Sequence, residues 1–145
     1  MYQEATLPLF PMLPAAGRPA PDAEALRRRA GVDYFDLLVR EILNKSEASL
    51  LPFDWTINPY RGCEHGCIYC YARPTHEYLG FSSGLDFETR IMVKRDAPDL
   101  LRMAISSAKW DDEEISLSGV TDPYQPVEAK LGITRRCLEV MRELR

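Results

Sequence analysis

Nowhere does the sequence hold a run of about 20 apolar residues, the length that spans a bilayer, so no transmembrane helix is expected. Nor does positive charge dominate. The chain has 18 basic against 22 acidic residues and a formal charge of -4, which argues against global attraction to nucleic acid or an anionic membrane. Binding of that kind would need a local patch. A secretory leader is also poorly supported: residues 6–16 are apolar enough for an h-region, but Glu4 replaces its basic flank and Pro8, Pro11 and Pro14 interrupt it. The reading that remains is a soluble, cytoplasmic protein. At 145 residues and 46% hydrophobic content, disorder of the whole chain is not expected and a single packed domain is.

Cysteine is scarce but concentrated. Three of the four cysteines, Cys63, Cys67 and Cys70, fall within eight residues, which is metal-ligand spacing more than disulfide spacing, and this points to a reducing compartment.

The chain divides near residue 50. Residues 1–21 carry five of the eleven prolines and read as an extended arm. Asp22 is a cap candidate for a short helix over residues 23–30, and Phe35, Leu38 and Ile42 recur at helical spacing in a second. Thus 1–50 is a proline-rich arm with short helices. In 51–145, Trp55 to Asn58 reads as a strand, followed by the Pro59, Gly62 and Gly66 breakers and the cysteines. Residues 71–79 suit a helix with Pro74 in its first turn or bending it, and 87–94 alternate like a strand. Asp96 caps a helix with an apolar stripe through Leu100, Leu101, Ala104, Ile105 and Ala108, and residues 114–118 form a strand. Thr134 then caps a last helix, with Ile133 and Leu138 placed as a hydrophobic staple and Cys137 on its buried face. Strand–helix alternation predicts a parallel α/β architecture whose site lies at the carboxyl ends of strands, where the cysteine loop and residues 119–131 fall.

Thiolates are soft ligands that suit Fe-S clusters, zinc or copper. A zinc site would need a fourth ligand, His65 or the distant Cys137, whereas three cysteines on a four-iron cluster leave one iron open to a substrate or cofactor. His65 and His76 read as structural or surface residues as readily as proton-transfer groups. Arg61 and Arg73 flank the loop and could meet a carboxylate or phosphate, or simply be solvated. The run 111–114 reads as a solvated acidic turn, while Asp122 and Glu128 divide evenly between turn-forming and functional roles.

Cys63-Glu-His-Gly-Cys67-Ile-Tyr-Cys70 resembles the radical S-adenosylmethionine signature, Cys-x3-Cys-x-aromatic-Cys. Its flanks, Asn58-Pro-Tyr-Arg-Gly62, Tyr71-Ala-Arg-Pro-Thr-His-Glu77 and Gly119-Val-Thr-Asp-Pro-Tyr-Gln-Pro-Val-Glu128, are similar to the spore-photoproduct-lyase-like, or DNA repair photolyase, branch. The resemblance covers residues 51–145. It implies the amino-terminal part of a partial (β/α) barrel in an α/β chain that is a fragment of a longer one. It also implies a 4Fe-4S cluster on Cys63, Cys67 and Cys70 that reductively cleaves S-adenosylmethionine to a 5'-deoxyadenosyl radical. Tyr69 would lie near the adenine, and Ser118, Gly119, Thr121 and Asp122 near the amino or ribose groups, although no Gly-Gly-Glu triplet is present. A flavodoxin- or ferredoxin-type donor would reduce the cluster; nucleic acid is one candidate substrate, and no membrane is involved. The hydrogen-donating cysteine of authentic spore photoproduct lyase has no counterpart between Ser116 and Glu128, so that repair activity is not expected. The rival reading is a non-catalytic Fe-S or zinc module that senses redox state or binds nucleic acid.

Overall fold

The computed structural model describes residues 25–29, 31–46 and 50–144. The proline-rich arm, residues 1–21, lies outside them. In chain order the elements are β1 (Ala25–Arg29), β2 (Val32–Asp36), β3 (Leu43–Lys45), β4 (Trp55–Ile57) and β5 (Tyr60–Arg61). A 3-10 helix (Arg73–Leu79), α1 (Leu85–Thr89), β6 (Arg90–Val93) and α2 (Ala97–Ile105) follow. Then come β7 (Ile115–Leu117), α3 (Glu128–Leu131) and α4 (Ile133–Glu143).

The strands form two mixed sheets, a four-stranded one in the order β1-β2-β6-β5 and a three-stranded one in the order β3-β4-β7. Among the described residues, only β2 with β6 and β4 with β7 run parallel; β1, β3 and β5 each pair antiparallel to a neighbour. This overturns the predicted amino-terminal part of a partial (β/α) barrel. A barrel wall needs successive parallel strands joined by helical crossovers, whereas each parallel pair here is flanked by an antiparallel strand. The chain is a small mixed α/β fold.

Both short helices predicted before residue 50 are corrected as well. Residues 25–29 and 32–36 are an antiparallel strand pair, with Gly31 at φ 89 in the turn. Only glycine adopts that φ without strain, so the residue read as a helix stop is a strand reversal. The apparent helical period was accidental: Leu38 is 73% exposed, while the buried residues are Tyr34, Leu37 and Ile42. Residues 87–94 split into α1 and β6, because Phe87 turns toward the cysteine loop and the strand starts only at Arg90.

The later elements follow the sequence more closely. Pro98 stands in the first turn of α2, where its missing N–H costs nothing, although Asp96 makes no side-chain capping bond. Ala97 and Leu101 of α2 join Ile133, Cys137 and Val140 of α4, with Ile57, Tyr60, Ile91 and Val93, in the main core. Thr134 does not cap α4. The helix is preceded by Gly132 at φ 60, and Thr134 instead donates through Oγ1 to the carbonyl of Pro123 at 2.8 Å. The cap comes from Glu128: Oε2 accepts the amides of Ile133 and Thr134, each at 3.1 Å, and Oε1 accepts that of Arg135 at 3.1 Å. A carboxylate there satisfies amides that have no intrahelical partner and complements the helix dipole. Among the described residues, no helix is long and apolar enough to cross a membrane.

Candidate functional site

The cysteine loop starts where β5 ends. Gly62, at φ 80, sits so close to α1 that a Cβ would lie 2.8 Å from the Phe87 carbonyl and 2.9 Å from His76 Cε1. The next amide, of Cys63, donates to that same carbonyl at 2.9 Å. Gly62→Ala is therefore expected to cost about 2 kcal/mol or more from strain and overlap, read as a lower urea midpoint. An unchanged midpoint would mean that the loop adapts freely.

Beyond Gly62 the loop turns twice, with the Gly66 amide donating to the Cys63 carbonyl at 3.3 Å and the Cys70 amide to Cys67 at 3.2 Å. Arg73, on the 3-10 helix, clamps it. Its Nε donates to the Cys67 carbonyl at 3.0 Å, Nη2 to Gly66 at 2.8 Å and Nη1 to Gly84 at 2.9 Å, while the guanidinium stacks 5.4 Å from the Phe87 ring centre. An arginine open to a merely solvated reading is thus a positioning residue.

All three loop thiols are free, Cys63 buried and Cys67 and Cys70 half-buried. Burial pushes the Cys63 thiol pKa up, and the backbone amides of His65 and Asp122 oppose this. Cys137 belongs elsewhere. It lies in the main core, where burial and the Glu128 carboxylate push its pKa up to about 12, whereas Cys63 packs with Ala72, Phe87 and Val120. In this conformation no three His, Cys, Asp or Glu side chains among the described residues are gathered closely enough to hold a metal ion.

The second loop, residues 118–127, is bonded to the first. Thr121 Oγ1 donates to the Gly62 carbonyl at 2.6 Å, and the fully buried Gln125 donates to the same carbonyl through Nε2 at 3.3 Å. Gln125 Oε1 accepts the Glu64 amide at 3.2 Å, and Glu64 Oε1 accepts the Val127 amide at 3.2 Å. His65 Nε2 lies 3.3 Å from Asp122 Oδ2, and Tyr71 donates its hydroxyl to the Gly119 carbonyl. Ser118 is held at φ 76, a strained value for a non-glycine residue, with its hydroxyl bonded to the Thr121 carbonyl. Ser118, Gly119, Thr121 and Asp122 therefore stand beside the cysteines. A cavity of about 180 Å³ opens next to them, lined in part by Tyr71, Ser118, Gly119, Thr56 and Phe53.

Tyr69 is the exception. It is 85% exposed, and its pKa is raised by a hydrogen bond to the Cys67 thiol and by that thiol's charge. Sequence reasoning missed Gln125 and Glu64, whose roles depend on long-range contacts. The one available signal was their place inside the two polar motifs.

Beneath the loop lie three nitrogen-bearing side chains. His76 is fully buried between Phe81 and Phe87, its Nε2 is 2.8 Å from the Arg90 carbonyl, and burial lowers its pKa. Arg61 is 9% exposed and Lys94 5% exposed. Burial first, and then the charge of Arg61, lowers the Lys94 pKa from 10.5 to about 7. A base with a depressed folded-state pKa binds less proton folded than unfolded between those values, so stability should rise with pH. From pH 7 to about 8.5 the gain is expected to approach about 1 kcal/mol per unit, and to vanish in Lys94→Met, as read by urea denaturation. Equal pH slopes for the two proteins would contradict the assignment.

No protein-family model matches the chain, and no solved structure matches it. Uncharacterized proteins of Mycobacterium tuberculosis and Mycobacterium bovis are 43% identical to it over 104 residues, 71% of this chain and 31% of each relative. An uncharacterized protein of Methanocaldococcus jannaschii is 32% identical over 85 residues, 59% of this chain and 30% of its own. The chain spans just under a third of the length of the curated relatives it matches.

Proposed function

We propose that Cys63, Cys67 and Cys70 ligate a 4Fe-4S cluster through which the protein reductively cleaves S-adenosylmethionine. One observation carries the reading: three free thiols in a single eight-residue loop, with an aromatic residue before the last and no fourth cysteine nearby. The donor set fits the group, because soft thiolates favour iron–sulfur clusters and three of them leave one of four irons without a protein ligand. A cluster held there would supply one electron to the sulfonium of S-adenosylmethionine, whose S–C5' bond would break to methionine and a 5'-deoxyadenosyl radical able to take hydrogen from a substrate.

The chain's own residues supply position. Arg73 fixes the loop carbonyls, and Thr121 and Gln125 tie the cysteine loop to residues 118–127. The exposed Tyr69 would leave its hydrogen bond to Cys67 to turn toward an adenine, and Ser118, Gly119, Thr121 and Asp122 offer hydroxyl, backbone and carboxylate groups to the amino and ribose groups. The exposed Ile68 and Tyr69 give a flavodoxin- or ferredoxin-type donor a route to the loop. Anaerobic reconstitution with iron and sulfide, dithionite reduction and chromatography for 5'-deoxyadenosine test this reading. Product formation is expected. A cluster that forms without product would favour a module that does not turn over.

The zinc alternative has one observation in its favour. An imidazole paired with a carboxylate, as His65 is with Asp122, is the arrangement that orients a metal-binding histidine. Metal analysis of anaerobically purified protein separates the two, since about one zinc per chain and no iron would select it.

A further inference from the structure

We propose that Arg61, Lys94 and His76 form a binding site for an oxyanion, the carboxylate or phosphate of a small molecule. The site does not depend on the cluster reading. Arg61 is paired with Met92 across β5 and β6, and Lys94 lies two residues further along, where its amide still bonds the Pro59 carbonyl at 3.0 Å. Alternation along the extended chain places Arg61, Met92 and Lys94 on one face, with the two cations as diagonal neighbours. The charge of Arg61 is felt by both Lys94 and His76.

No carboxylate among the described residues pairs with Arg61 or Lys94; the nearby Asp36 is engaged by Arg95 at 2.8 Å. Two buried like charges without a counter-charge are costly, and ion pairs that bury charge normally bring both partners. The donors are also under-used. Arg61 gives one bond, from Nη2 to the Thr75 carbonyl at 3.1 Å, although a guanidinium carries five N–H groups. His76 Nδ1 is buried with no partner. A fork of guanidinium N–H groups beside an ammonium matches the oxygens of a carboxylate or phosphate. An anion bound there would supply the missing charge and accept from the idle N–H groups of Arg61 and Lys94; His76, whose Nε2 donates to the Arg90 carbonyl, would add Nδ1 as a donor by taking up a proton, which the anion favours.

The test is thermal denaturation of the 145-residue chain at constant ionic strength in chloride, inorganic phosphate or acetate. The wild-type protein should melt higher in phosphate or acetate than in chloride. At pH 6, below the depressed Lys94 pKa of about 7, Lys94→Met should melt higher than wild type in chloride, having lost an unneutralised buried charge, and should lose the anion-dependent shift. Arg61→Gln should also lose that shift, and Lys94→Arg should keep it, so the comparison survives if one variant folds poorly. A shift with phosphate alone assigns the site to phosphoryl ligands, and one with acetate alone to carboxylates. No shift with either anion, or an equal shift in Lys94→Met, would overturn the proposal. Because the readout is melting and not turnover, failure here leaves the cluster reading intact, and failure of that reading leaves this one intact.

Discussion

Replacing Cys63, Cys67 or Cys70 by alanine is expected to abolish the brown chromophore of the anaerobically reconstituted protein and any 5'-deoxyadenosine formation, while Cys137→Ala should retain both. A cluster held by three thiolates has no spare ligand in the loop. Cys137, the fourth cysteine, lies in the core with α4 and the strands. Cys137 is also a weak acid. Burial and the Glu128 carboxylate keep Cys137 a neutral thiol, and only the thiolate binds metal. Each loop variant should keep most of its fold, because Cys67 and Cys70 are half-buried and the small cluster that Cys63 forms with Ala72, Phe87 and Val120, and on which Cys70 packs, is separate from the main core. Optical spectra and iron content of the four variants check this. Loss of iron in Cys137→Ala alone would reverse the ligand assignment.

Glu128→Ala is expected to produce the largest loss of stability, about 3 kcal/mol or more, read as a fall in the urea midpoint. The carboxylate accepts the Tyr60 hydroxyl and three amides at the start of α4, and its removal leaves four donors at a largely buried site. Each unsatisfied buried donor costs about 1–3 kcal/mol, and shared relaxation keeps the sum well below simple addition. The effect should reach the candidate site, because Glu128 closes the segment that carries Thr121 and Gln125. Glu128→Gln should fall between the two, since one amide oxygen still accepts but its NH2 faces donors. A loss below about 1 kcal/mol for the alanine variant would mean that water replaces the cap.

What was legible in the sequence was local. Trp55 to Asn58 read as a strand because aromatic and β-branched residues alternate there, and β4 occupies Trp55–Ile57. Pro74 and Pro98 marked first turns because proline is tolerated only there in a helix. What failed was long-range. The pairing of β5 antiparallel to β6, which helps replace the expected barrel by two mixed sheets, leaves no periodic trace in a strand of two residues. The cap of α4 was misplaced for a similar reason: Thr134 has the right side chain, but Glu128, six residues earlier, reaches its amides across the turn at Gly132. The cysteine loop and the motif of residues 119–128 were each visible in the sequence. Their contact through Gly62, Thr121 and Gln125 belongs to the fold.

The most direct test of the central claim is electron paramagnetic resonance of the anaerobically reconstituted, dithionite-reduced protein, recorded with and without S-adenosylmethionine. The account predicts about four irons per chain and a reduced-cluster signal that shifts when S-adenosylmethionine is added, since the iron without a cysteine would be the one open to it. A protein that takes up zinc in place of iron, or a cluster signal unchanged by S-adenosylmethionine, would contradict it.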